Sequence, residues 1–168
     1  MALSEELKAR IRAEFPKYPE KRAVLLTALH FVQEECGGWI EPEVIPEVAG
    51  MLEIPPIDVK EVTSFYAMFN ESLIGKRHVR VCTGLSCCLR GARSLQNAFE
   101  EELNIRPGEV TPDGSFSVGS VECLGSCGSA PVLQINTRTY LENLSPSDAP
   151  AILENLRREI AEDEAETA

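Results

Sequence analysis

His78-Val-Arg-Val-Cys82-Thr-Gly-Leu-Ser-Cys87 and Val121-Glu-Cys123-Leu-Gly-Ser-Cys127-Gly-Ser-Ala-Pro-Val-Leu-Gln-Ile-Asn136 are the stretches on which the fold turns. His78–Cys82 alternates in the manner of a strand, and Phe116–Glu122 predicts a second strand that runs into Cys123. Past each strand lies a cysteine pair, spaced C-x4-C in the first loop and C-x3-C in the second, with 35 residues between the pairs. Four thiolates are the ligand set of a [2Fe–2S] or [4Fe–4S] cluster. They are also a possible structural zinc set.

The strand-end placement makes one site of two pairs. Neighbouring strands of one sheet would bring the two loops to the same edge, about 5–10 Å apart. The gap between the pairs is then one strand–helix–strand excursion. Gly84, Gly125 and Gly128 allow each loop to turn back so that its sulfurs converge. Loop amides and the hydroxyls of Thr83, Ser86 and Ser126 can donate hydrogen bonds to sulfur, which raises a cluster's potential. Such donors matter because reduction adds negative charge to a chain already at −11. Cys87 lies near the start of the following helix, whose positive end favours anions, and Arg90 is the nearest cation in sequence.

Other readings of these cysteines remain open on residues alone. Tetrathiolate zinc sites favour C-x2-C knuckles, shorter than either spacing here. A thioredoxin-type reductase would want C-x-x-C, which is absent. Cys88 is an alternative to Cys87 as ligand, and ranks second because its side chain leaves the helix start in another direction. Cys36 reads as a buried free thiol. His30 and His78 sit on apolar-patterned segments and read as packing or surface residues.

Upstream, residues 1–75 read as four short helices, and residues 76–168 as an α/β unit. Leu3, Leu7, Ile11 and Phe15 mark the first helix, with Ser4 at its start. Pro19 is expected to open the second, with Leu25, Leu26, Leu29 and Val32 as its buried stripe and Gly37-Gly38 at its end. A third follows Pro42, with Val44, Ile45, Val48, Met51 and Leu52 inward. Pro46 is tolerable only near its start. A fourth follows Pro55-Pro56, with Asp58 as N-cap and Val59, Val62, Phe65, Tyr66 and Phe69 as its apolar set. Downstream, Gly91–Leu103 is helical, Pro107-Gly108 and Pro112-Asp-Gly114 are turns, and Val132–Ile135 pairs with Thr137–Tyr140 about Asn136. Pro146 to Ile160 forms a closing helix, and Glu162 onward reads as a frayed acidic tail. The order β-α-β-β-α matches the C-terminal half of a thioredoxin-like fold, so the second half is α/β with a mixed sheet, and with the N-terminal helices the fold class of the chain is α+β.

Composition is globular, with 43% hydrophobic and 26% charged residues. The acidic balance argues against a nucleic-acid partner. Lys76-Arg77 and Arg157-Arg158 read as solvated surface. No stretch approaches the roughly 20 apolar residues of a membrane span, and the N-terminus lacks an apolar signal core. The chain is expected to be cytoplasmic, where six cysteines are ligands, nucleophiles or buried thiols rather than disulfides.

VCTGLSC with VECLGSCGSAPVLQIN resembles the small thioredoxin-like [2Fe–2S] subunit of NADH:quinone oxidoreductase, respiratory complex I. Gln33–Ile40 and Thr63-Ser-Phe-Tyr66 extend the resemblance upstream. The resemblance implies that Cys82, Cys87, Cys123 and Cys127 hold one [2Fe–2S] cluster. It implies a partner flavoprotein subunit that binds FMN and NADH, further iron–sulfur subunits, and a place in the peripheral arm of a membrane-associated complex. Single electrons would pass between the cluster and the flavin, while catalysis on NADH belongs to the partner. The small subunits of NAD-linked hydrogenases and formate dehydrogenases are similar, and a zinc-stabilised scaffold is the reading from a different class. Pro131 resembles the thioredoxin-like cis-proline.

Overall fold

The computed structural model describes residues 2–167. They divide between Leu73 and Ile74 into two compact units, each with its own apolar core.

The first unit carries α1 (Glu5–Glu14), α2 (Leu25–Glu35), α3 (Ile45–Leu52) and α4 (Pro56–Phe65). Ser4 starts α1 because its Oγ accepts the Leu7 amide at 3.1 Å. Leu7 and Ile11 point from α1 into a core with Val24, Leu29, Val32, Val44, Val48, Leu52 and Val59. Pro46 falls in the first turn of α3, where no helical amide is lost. Gln33 is buried and ties the chain beyond α4 to α2. Its Nε2 donates to the Met68 carbonyl at 3.1 Å, and its Oε1 accepts the Asn70 amide at 2.7 Å.

Several local expectations change here. Pro19 does not open α2. Tyr18 and Glu20 on either side of it are extended, Lys21–Val24 forms a 3-10 turn, and α2 begins only at Leu25. Leu26 is exposed, because Leu25, Leu29 and Val32 already fill the inward stripe and the next residue sits about 100° round the helix. Asp58 does not cap α4. Pro55 holds that position, and the Asp58 carboxylate pairs instead with Arg22 at 2.9 Å. Phe65 is 77% exposed and Tyr66 38%. The helix ends at Phe65 and Tyr66 is extended, so the helical period no longer aims the pair inward.

The second unit carries β1 (Arg77–Cys82), α5 (Leu85–Leu89), α6 (Ala92–Leu103), β2 (Phe116–Val121), β3 (Leu133–Ile135), β4 (Thr139–Leu141) and α7 (Ala149–Thr167). The sheet order is β2-β1-β3-β4. β1 and β2 are parallel, with Cys82 opposite Val121, while β1–β3 and β3–β4 are antiparallel. Val79, Val81, Val118, Leu133 and Ile135 face one side, where Leu95 and Phe99 of α6 and Leu153, Leu156 and Ile160 of α7 complete the core. Arg80 is buried and donates to Gln134 Oε1 at 2.7 Å and to the Asn136 carbonyl at 3.1 Å. Asn136 adopts φ 53 in the β3–β4 turn. The Ala130–Pro131 peptide is cis.

The frayed acidic tail is also corrected. α7 continues to Thr167, because its acidic end has basic partners at the start of β1. Asp163 pairs with Arg77 at 2.6 Å, Glu159 lies 3.5 Å from the same guanidinium, and Glu164 pairs with Lys76.

Candidate metal centre

Cys82 is the last residue of β1 and is fixed by the sheet. Its amide donates to the Val132 carbonyl at 3.0 Å, and the next amide, Thr83, donates to the Val121 carbonyl at 2.8 Å. Because β2 runs parallel beside β1 and ends at Val121, Cys123 lies two residues past the same sheet edge. The two loops also approach each other closely. A β-carbon on Gly84 would lie 3.1 Å from the Glu122 carbonyl and 3.6 Å from Cys82 Sγ. Glycine at 84 is what lets the first cysteine loop pass against the second.

The chain past Gly84 forms the five-residue helix α5, which carries Cys87. Cys82 and Cys87 are both buried. Burial, and then a hydrogen bond with Cys82, push the Cys87 thiol up, and the Cys82 and Cys127 sulfurs add to the rise. The Cys87 sulfur is thus the one on which contributions from both loops, Cys82 in the first and Cys127 in the second, converge. Cys88, one residue on, turns away and donates its thiol to the Thr83 carbonyl at 3.2 Å.

The second loop is more open, with Cys123 and Cys127 both exposed. Gly125 has φ 77, a conformation glycine accepts readily, and its amide points at Cys123 Sγ from 3.4 Å. Cys127 starts a 3-10 turn to Ser129, closed by the Ser129 amide on the Ser126 carbonyl at 3.2 Å. Among the described residues, no three His, Cys, Asp or Glu side chains are grouped so that they could hold a metal ion. The four cysteines nonetheless fit an iron–sulfur group in donor chemistry and in topology. Their loops share one sheet edge, and a bridged cluster spans more room than a single ion.

Two of the three candidate hydroxyl donors, Thr83 and Ser126, are engaged elsewhere. Thr83 Oγ1 donates to the Val121 carbonyl at 3.1 Å rather than to sulfur. The Ser126 hydroxyl engages Glu142 and lies 2.8 Å from Ser129 Oγ. Ser126 and Ser129 together hold the Glu142 carboxyl below the usual carboxylate range. Reasoning from sequence misses Glu142, because nothing local to β4 marks it as a partner of the cysteine loop. Cys36 lies in the first unit, where burial raises its thiol pKa. The His30 ring packs tilted at 54° against Phe69, centroids 5.1 Å apart, and His78 packs against Ser117 with Nδ1 2.7 Å from Oγ. Neither histidine joins the cysteines.

Residues 11–157 match the model of the thioredoxin-like [2Fe-2S] ferredoxin family. NADH-quinone oxidoreductase subunit 2 of Thermus thermophilus is 47% identical over 145 residues, 85% of this chain and 80% of that protein. The corresponding NADH-quinone oxidoreductase protein of Rickettsia bellii is 43% identical over 145 residues, 85% of this chain and 86% of that protein. Among solved structures, an NAD+-reducing [NiFe]-hydrogenase in the air-oxidized state shares the fold. The TM-score is 0.68 at 24% identity, over 83% of this chain and 24% of the hydrogenase chain.

Proposed function

The chain belongs to the thioredoxin-like [2Fe-2S] ferredoxin family, and from that premise we propose that it is the electron-transfer subunit of an NADH:quinone oxidoreductase. One [2Fe–2S] cluster is held by Cys82, Cys87, Cys123 and Cys127, and it exchanges single electrons with the FMN of a partner flavoprotein. The observation that carries this reading is the parallel β1–β2 pairing, which sets Cys82 opposite Val121 and so opens both cysteine loops at one sheet edge. When bound, the cluster supplies one-electron redox chemistry. This chain's residues supply the rest. Four thiols lose their protons on binding, the sheet amides fix Cys82, and Gly84 and Gly125 let the loops close.

Hydride chemistry on NADH belongs to the flavoprotein. That partner and further iron–sulfur subunits would surround this chain in the peripheral arm of a membrane-associated complex. No helix among the described residues is long and apolar enough to cross a membrane. Phe65, Ile57 and Leu73 of the first unit are well exposed, which supports packing of that unit on the flavoprotein. Normal assembly of a chain truncated before about residue 74 would refute that contact.

The experiment is anaerobic purification with visible absorption and EPR of the dithionite-reduced protein. A coloured protein with an axial or rhombic [2Fe–2S] signal is expected. Cys82→Ala, Cys87→Ala, Cys123→Ala and Cys127→Ala should each abolish or grossly alter the signal, while Cys36→Ala and Cys88→Ala leave it nearly intact. A colourless folded protein with stoichiometric zinc would overturn the electron-transfer reading. Loss of the signal in Cys88→Ala but not in Cys87→Ala would overturn the ligand set.

A further inference from the structure

We propose that Glu142 is a positioning residue of the cluster site. Its carboxylate keeps the Ser126 hydroxyl off the Cys127 sulfur and sets a negative charge beside the second cysteine loop, and both effects hold the cluster's reduction potential down. The inference rests on the ligand set proposed above.

Glu142 directly follows β4 and lies 16 residues from Ser126 in the chain. Its backbone is held on both sides. Leu141 pairs with Leu133 in the sheet. Asn143, at φ 54, donates its amide to the Ser129 carbonyl at 2.7 Å, and the Leu144 amide reaches the Pro131 carbonyl at 3.3 Å. The segment after β4 is thus laced onto residues 129–131, and the Glu142 carboxylate is delivered to the turn that carries Cys127. Ser126 immediately precedes Cys127, and Ser129 Oγ lies 2.8 Å from Ser126 Oγ and also donates to the Ser126 carbonyl at 3.3 Å.

A serine has one O–H to give. Donated to a carboxylate, it is not available to a thiolate or sulfide. A hydrogen bond to sulfur stabilises the reduced, more negative cluster, so withholding it lowers the potential. The carboxylate acts in the same direction by repulsion. A carboxylate bonded to the hydroxyl of a ligand's neighbour lies within about 6–10 Å of that ligand, given Cα atoms about 3.8 Å apart. At the high effective dielectric of an exposed site, one unit charge at that range changes the reduced-to-oxidised ratio about threefold. That corresponds to about 30 mV for a one-electron couple at 59 mV per tenfold.

The test is an EPR-monitored redox titration of the full chain in low salt, comparing wild type with Glu142→Gln, Glu142→Ala and Ser126→Ala. Glu142→Gln keeps an oxygen acceptor for Ser126 and removes only the charge, so about a threefold shift toward the reduced cluster is expected, weakening in high salt. Glu142→Ala also frees the hydroxyl and should shift further. Ser126→Ala should not lower the potential, because its hydroxyl is not donated to sulfur in the wild type. Hydrogen exchange at the Ser129 and Asn143 amides should stay protected in Glu142→Gln. A wild-type midpoint in Glu142→Gln would overturn the proposal, as would a lowered midpoint in Ser126→Ala. Loss of the cluster from Glu142→Gln would overturn it too, since removing a charge does not unseat a ligand. A wild-type chain without a cluster, or Cys127→Ala with an unchanged signal, would instead overturn the ligand set on which it rests.

Discussion

Acidification should destabilise the second unit through one histidine, His78 in β1. Its ring packs between Ser117 and Gly119 of β2, where a β-carbon added at Gly119 would come within 3.1 Å of the ring. Burial, and then the positive charge of Arg80, lower its pKa from 6.5 to about 4. The unfolded chain therefore takes up a proton before the folded one does. The stability contributed by neutral His78 is complete above about pH 6.5 and is lost as pH falls through about 6.5 to 4. At about 1.36 kcal/mol per unit, the loss is about 2 kcal/mol by pH 5 and approaches about 3 kcal/mol below pH 4. The assay is urea unfolding followed by circular dichroism at pH 7.5 and pH 5.0, for wild type and His78→Gln. Carboxylates common to both proteins cancel in the difference, and Asp113, held down to about 2 by the Thr111 hydroxyl and the Ser115 amide and hydroxyl, titrates below this window. The wild type should lose about 2 kcal/mol more than the variant between the two pH values. Equal losses would refute a buried, neutral His78.

Gly75→Ala should destabilise the chain by about 3 kcal/mol, because its β-carbon would lie 2.4–2.7 Å from the Phe116 backbone. A scanning melt should drop by roughly 6–12 °C, and a change below about 1 °C would mean that the strand edge yields. Phe99→Ala removes a fully buried ring from the second core and should cost about 3–5 kcal/mol in urea unfolding. Ser4→Ala removes the cap on the Leu7 amide and should cost about 1 kcal/mol, read as a lowered urea midpoint of the first unit.

The features legible in the sequence are those set by near neighbours. Alternation in His78–Cys82 and Phe116–Glu122 marks two strands that each run into a cysteine, and the periodicity of Leu7 and Ile11 marks α1 with Ser4 ahead of it. The features that sequence misleads on depend on partners far along the chain. Glu164 and Asp163 look like a solvated tail until Lys76 and Arg77, 88 and 86 residues away, are placed beside them. Phe65 obeys the helical stripe in sequence, yet the helix stops there and the stripe with it. Thr83 and Ser126 do lie near the cysteines, but what a hydroxyl donates to is settled by competition. A carbonyl of β2 and a carboxylate after β4 win over sulfur.

That competition bears on how the site handles charge. With Thr83 and Ser126 engaged elsewhere, the Gly125 amide is a donor on the Cys123 sulfur, and a turn holds it in place whatever the side chains do. Amide donors need glycine at the tight points, and Gly84 and Gly125 meet that need. The two halves of the site also differ in exposure, with Cys82 and Cys87 buried while Cys123 and Cys127 face outward. On the buried side the protein alone sets the surroundings of an added electron. On the open side water and salt share in screening it, so the potential of the isolated chain should respond to ionic strength more strongly than that of a chain whose second loop is covered by a partner. A redox titration of the free chain and of the assembled complex across ionic strength separates the two cases, and equal salt slopes would refute the argument.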